Sequence, residues 1–156
     1  MGTNVYRSLT PQGATPLKPL QKGYGMTIEL WVLVWSAILL YGLISLNSGA
    51  NLYFMGISWG AGNRDTAPAQ SPEWVIRTKR AYTNLIENLV LYIAIAGTAH
   101  MAGVHTEMTI TGAQIFFIGR LIHAFAYVSG TTVLWLRTIG YFTGIAGMLL
   151  ILIELL

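Results

Sequence analysis

The chain has 156 residues, 54% of them hydrophobic and only 10% charged, with a net charge of +3 at neutral pH. A soluble domain usually carries about 25% charged residues, so the composition excludes a water-exposed globule and implies an integral membrane protein. The absence of cysteine excludes disulfides and thiolate catalysis by the chain. The small, dispersed charge leaves no nucleic-acid patch.

Residues 1–25 form a basic, Pro-containing tail with Arg7, Lys18, Lys22, Pro11, Pro16 and Pro19 and no acid. The expectation is a flexible segment on the membrane surface. The sharper reading is a docking segment for anionic lipid or for a partner in a larger membrane complex. Residues 26–156 then form one membrane domain.

A bilayer core takes about 20 mostly apolar residues per helix. The first such stretch runs from Thr27 to Leu46, and a polar loop over 47–72 follows it. Pro72 is placed to start a second helix with Glu73 in its first turn, running to Ala102. A third helix is expected from Met108 to Gly130 and a fourth from Val133 to Leu156. The short connections fit antiparallel neighbours, so the predicted fold is all-α, an antiparallel four-helix transmembrane bundle. The second helix, about 45 Å long at 1.5 Å per residue, is too long for the membrane, and its charged N-terminal end is the part that projects. The 47–72 loop side also bears Arg64, Arg77, Lys79, Arg80 and Arg137, which favours it as the cytoplasmic side.

The polar residues of the spans fall on stripes. At about 100° per residue, Arg77, Arg80, Asn84 and Glu87 lie within an arc of about 80°. Arg120, His123 and Tyr127 lie within about 60° on the third helix. Arg137 and Tyr141 are four apart on the fourth and share a face. The three stripes reach a similar depth. Ionisable residues inside a span are costly and usually face a functional interior. An isolated one of these reads better as a packing pair or a snorkelling arginine; their convergence favours a ligand site. Four arginines against one Glu87 predict an anionic ligand with carboxylates, with Glu87 free to take an ammonium group.

Other chemistries fit less well. His100 and His123 are too far apart in depth to ligate one haem, and His105 reads as a solvated loop residue. No metal is expected. The arginine surplus opposes a cation channel, and Asp65 as the only aspartate leaves no hydrolase triad. No repeat or broken span marks a transporter. Gly140, Gly144 and Gly147 make close helix packing available on the fourth helix without fixing an oligomer number.

"RTKRAYTNLIEN" resembles the second-helix signature R-x-x-R-A-x-x-N-x-x-E of the MAPEG family, the membrane-associated proteins in eicosanoid and glutathione metabolism. "GRLIHAFAY" is similar to its third-helix motif and "LRTIGY" to the motif opening its fourth; "GNRDTAP" is similar to bacterial members. The resemblance covers roughly residues 27–156. It implies a homotrimer in a bacterial inner membrane, with glutathione as co-substrate between subunits on the cytoplasmic side. Arg80, Asn84 and Glu87 would hold the tripeptide's polar ends, and His123 and Tyr127 would line the pocket. Arg77 and Arg120 would support it by charge. Arg137 would sit by the sulfur with Thr138 beside it and Tyr141 on the same face. Tyr127 and Arg137 would serve the reaction, a transferase or peroxidase chemistry on a hydrophobic small molecule or lipid. The chain departs from the family pattern in "LISLNSGAN", which has no first-helix arginine, and in Thr83, where some members have another arginine. The alternative is therefore a non-catalytic lipid-binding or scaffolding subunit.

Overall fold

The structure, a computed structural model, describes residues 25–64, 71–131 and 135–156. The basic tail before Gly25, Asp65 and the expected start of the last helix at Val133 lie outside the described residues. Among the described residues all regular structure is helical: α1 (Ile28–Met55), α2 (Ile57–Ala61), α3 (Glu73–Met101), α4 (Glu107–Ser129) and α5 (Leu136–Ile153).

Helix boundaries follow local chemistry. Pro72 is the N-cap of α3 and Glu73 its first residue, as its fixed φ and the helix dipole favour. Thr106 and Thr109 close α4 with a reciprocal capping box, each side chain bonding the other's backbone N–H. Gly130 ends α4 in the left-handed region at φ 71°, where a side chain would be strained.

The first helix differs from expectation. It continues nine residues past Leu46 to Met55 rather than breaking into a loop. The polar residues that interrupt its apolar run are satisfied by tertiary bonds. Asn47 Nδ2 donates to the Val75 carbonyl at 2.7 Å, and Asn51 Nδ2 donates to Asn47 Oδ1 at 3.1 Å. Gly56, at φ 82°, then turns the chain into the short α2.

Three helices, α1, α4 and α5, are long and apolar enough to cross a membrane. The second helix of the sequence reading, α3, falls outside that set. Its 29 residues suffice, but Glu73, Arg77, Lys79, Arg80 and Glu87 crowd its first half. The polar stripe that makes α3 interesting therefore also makes it a poor lipid-facing span.

α4 and α5 make the closest pairing, α1 packs on α3, and α4 touches both. Glycine creates the α4–α5 seam. A Cβ added at Gly119 would lie 2.5 Å from the Gly144 amide nitrogen, and one at Gly140 would lie 2.7 Å from that of His123. Without a hydrophobic drive between helices in lipid, such close packing is what joins them. The glycines Gly140, Gly144 and Gly147 thus serve packing within one chain. Tyr92 stacks on Phe116, centroids 4.2 Å apart, within a core that includes Val32, Leu89, Ala113 and Ile151. A second cluster, Leu43, Ala81, Leu85 and Ala124, lies beneath the polar stripe of α3.

Candidate functional site

The polar stripes of α3, α4 and α5 meet. Two adjoining depressions share Asn84 and Tyr127. The first, about 360 Å³, is lined by Ile76, Lys79, Arg80, Thr83, Asn84, Glu87 and Tyr127. The second, about 260 Å³, is lined by Asn84, His123, Tyr127, Arg137, Thr138 and Tyr141. Together they make one groove along the outer face of the bundle.

Helix periodicity explains the groove. Arg80, Asn84 and Glu87 are spaced four and three apart, so they stack on one face of α3. His123 and Tyr127 are four apart on α4, with ring centroids separated by 4.9 Å. His123 also approaches Tyr141 of α5, centroids at 6.3 Å. The Arg137 guanidinium lies over the Tyr127 ring, 5.2 Å from its centroid, and this contact ties α5 to α4 inside the groove.

Asn84 is the pivot. Its Oδ1 accepts from Arg120 Nη1 at 3.1 Å and from Asn88 Nδ2 at 3.3 Å. With the oxygen doubly engaged, the NH2 is what Asn84 offers to a ligand, a donor suited to a carboxylate. Asn88, buried and also bonded to the Asn84 carbonyl at 2.8 Å, is a positioning residue that sequence reasoning missed. Its spacing of four from Asn84 is the signal that could have found it.

Two of the candidate residues stand outside the groove. Arg120 is only 2% exposed. Its Nη2 donates to the carbonyls of Gly140 at 3.1 Å and Tyr141 at 2.9 Å, while Nη1 holds Asn84. The side chain bolts α4 to the start of α5 and aims Asn84. It fits because α5 carries a glycine opposite it: a Cβ at Gly144 would lie 2.7 Å from Arg120 Nε. Arg77 pairs with Glu73 at 3.1 Å and rests on the α4 terminus, where a Cβ at Gly130 would lie 2.8 Å from its Cζ. Both arginines brace the groove and line neither of its depressions.

The remaining charges of the groove are not paired with an opposite charge among the described residues. Among the described residues, Arg80, Glu87 and Arg137 form no ion pair. Two guanidinium groups, the Lys79 ammonium, an amide NH2 and one carboxylate therefore line the groove. Such an array binds carboxylates through the guanidinium groups and an ammonium through Glu87.

A second polar cluster, unforeseen from the sequence, lies near the start of α1. Glu29 is 1% exposed and accepts from Thr109 Oγ1 at 2.5 Å. His105 Nδ1 lies 3.7 Å from the same carboxylate oxygen, and the His105 ring packs against His100 at 5.1 Å. Tyr92 donates its hydroxyl to the Glu29 carbonyl at 3.0 Å. His105 is exposed, as a loop residue should be, yet it has partners. His100 and His123 lie in different clusters. No group of His, Asp and Glu able to hold a metal occurs among the described residues.

A family model for the MAPEG family matches residues 26–156. No curated protein and no solved structure gives a match. The matched region contains all five helices and every groove residue, and three of those helices are membrane-capable. The chain is an integral membrane protein and belongs to the MAPEG family, which includes glutathione transferases and peroxidases.

Proposed function

We propose that this chain is a glutathione-dependent membrane transferase or peroxidase acting on hydrophobic electrophiles. The observation that carries the reading is that Arg80, Glu87 and Arg137, which form no ion pair among the described residues, line one groove together with the Asn84 amide. Glutathione has two carboxylates, one ammonium and one thiol. Arg80 and the Asn84 NH2 suit a carboxylate, and Glu87 suits the ammonium. Arg137, at the far end beside Tyr127 and Thr138, suits the sulfur.

Arg137 then acts on the nucleophile. A free thiol has a pKa near 8.5, and a neighbouring cation lowers it, so a guanidinium raises the thiolate fraction at neutral pH. In a transferase, the sulfur forms a bond to the electrophilic carbon and the leaving group departs with its electron pair. The groove residues contribute by positioning, holding sulfur and electrophile in one geometry. Tyr127, held under Arg137, borders the reacting end and keeps the guanidinium in place.

The groove lies on an exposed face, and Arg80 and Glu87 present charge there. A lone chain would leave those charges against lipid, which is costly. In our reading four helices span the membrane as a bundle. Three copies associate so that a neighbouring subunit covers each groove, with α3 turned inward. The groove then opens on the cytoplasmic side of a bacterial inner membrane.

Calorimetry on the purified protein should detect glutathione binding. Arg137→Ala should lower conjugation of a generic aromatic electrophile by about 100-fold, the scale for losing one charge-stabilising group. Wild-type protein that binds no glutathione would end this reading in favour of a non-catalytic lipid-binding or scaffolding subunit. That second reading draws on the absence of an arginine in "LISLNSGAN", where α1 offers only Asn47 and Asn51 to the loop side.

A further inference from the structure

The unexpected extension of α1 builds a second recess. It lies between the last turns of α1, the short α2 and the first turns of α3, with a volume of about 490 Å³. Asn47, Asn51, Trp59, Arg64, Ser71, Lys79 and Tyr82 supply its polar and aromatic lining. Only Lys79 and Ile76 also border the groove described above.

The floor is self-satisfied. Asn47 Nδ2 bonds the Val75 carbonyl, Asn51 Nδ2 bonds Asn47 Oδ1, and Ser71 Oγ donates to Asn51 Oδ1 at 3.1 Å. These bonds make a rigid amide base and leave the charge of the recess to its rim. Arg64 is set there by its backbone. It holds φ 59°, the left-handed region that few non-glycine residues adopt. Its Nε and Nη2 donate to the Gly60 carbonyl at 3.3 and 3.1 Å, and the guanidinium lies 5.6 Å from the Trp59 ring centroid. The arginine is thus oriented before any ligand arrives, with Nη1 uncommitted. Lys79 contributes a second cation, with no ion pair among the described residues. No carboxylate occurs among the described lining residues. Two cations line one recess whose Asn47, Asn51 and Ser71 side chains are already hydrogen-bonded.

A smaller adjoining recess shares Asn47, Asn51, Trp59, Arg64 and Tyr82 and adds Leu52 to the lining. Tyr53 and Ile57, close by in the chain where α1 passes into α2, are 82% and 79% exposed. Aromatic and apolar side chains next to basic ones mark the level of lipid head groups.

We propose that this recess is a second ligand site, one that takes a phosphate-type oxyanion and holds it between Arg64 and Lys79. An anionic phospholipid head group and free phosphate share that chemistry. Leu52, which lines the adjoining recess, gives an acyl chain an apolar side chain to follow. The site adjoins the groove at Lys79 and Ile76, and its other cation, Arg64, lies outside the groove.

The test uses the full chain, purified and reconstituted with equal amounts of phosphatidylglycerol and phosphatidylcholine. Native mass spectrometry counts the lipid retained, and thermal unfolding is followed with and without inorganic phosphate. Preferential retention of phosphatidylglycerol supports the site and assigns it to lipid. A rise in Tm with phosphate, together with displacement of the lipid, supports the site and assigns it to the free anion. In either case Arg64→Gln and Lys79→Gln should each weaken binding about fivefold, the scale for one basic residue at a head group. Arg80→Gln should leave this binding unchanged while glutathione affinity falls, so failure of one site is distinguishable from failure of the other. Equal retention of both lipids with no response to phosphate would overturn the proposal. So would a preference that survives in the Arg64→Gln, Lys79→Gln double variant. Comparing each variant's Tm without ligand separates lost binding from lost folding.

Discussion

Glu29 and Glu87 are both carboxylates in an apolar helical chain, and their surroundings are opposite. Glu29 is buried, accepts a bond from Thr109, and has His105 beside it. Glu87 is exposed on the groove and forms no ion pair among the described residues. The arginines divide the same way. Arg120 spends its bonds on Asn84 and two α5 carbonyls, whereas Arg80 and Arg137 form no ion pair among the described residues. A buried polar group bonded within the chain contributes to the fold, since leaving it unpaired would be costly. A charge without an ion pair in such a chain contributes little to the fold, and these are the charges to which the proposed function assigns a ligand.

That division can be broken most severely at the seam that serves both classes. Gly144→Val places a branched side chain against the Arg120 guanidinium. Overpacking of this kind costs typically about 1–3 kcal/mol and occasionally more, and this site is at the upper end because Arg120 is buried and committed to Asn84 and two α5 carbonyls. Thermal unfolding in detergent should show the loss. Glutathione binding should fall with it, because displacing Arg120 frees Asn84 to turn. A variant with wild-type Tm and full binding would refute the bolt.

The Glu29 cluster offers the complementary case. Thr109→Val keeps the shape and removes the hydroxyl that donates to the carboxylate. It also removes the Thr106 capping partner. A hydrogen bond to a charged group is worth about 1.5–3 kcal/mol, so stability should drop by that order. Glutathione affinity, measured under conditions where the variant stays folded, should not change. A selective loss of affinity would mean that the two carboxylates are coupled rather than divided by role.

The sequence made one class of polar residue far more legible than the other. Charges are scarce in this chain, so Arg80, Glu87 and Arg137 stand out, and helical periodicity alone puts Arg80 with Glu87. Their meeting with His123 and Tyr127 across three helices follows from helix order and depth. Glu29 was hidden because an acid in a first helical turn looks ordinary; only the fold brings Thr109 and His105 to it. Asn47 and Asn51 were hidden for a related reason. In one dimension "LNSGAN" reads as a break, and the bonds to Val75 and Ser71 that sustain the helix are tertiary. Arg77 and Arg120 show the converse limit. They lie on the right stripes, but periodicity cannot tell a guanidinium that faces a ligand from one that faces backbone carbonyls.

The finest cut between the two classes is at Glu87 itself. Glu87→Gln preserves size and hydrogen-bonding capacity and removes only the negative charge. If Glu87 were a structural group, the change would lower stability as Thr109→Val does. An exposed carboxylate without an ion partner has no such contribution to lose, so Tm should stay within the small range of surface substitutions, about 0.5 kcal/mol. The effect should appear in binding. Losing the charge that faces an ammonium should weaken glutathione affinity by about tenfold, or about 1.4 kcal/mol. Des-amino glutathione, which has no ammonium to place, should bind the variant and the wild type alike. That pairing separates two explanations a single affinity could not. A general disturbance of the groove would weaken both ligands, whereas loss of the ammonium contact weakens only the one that carries it.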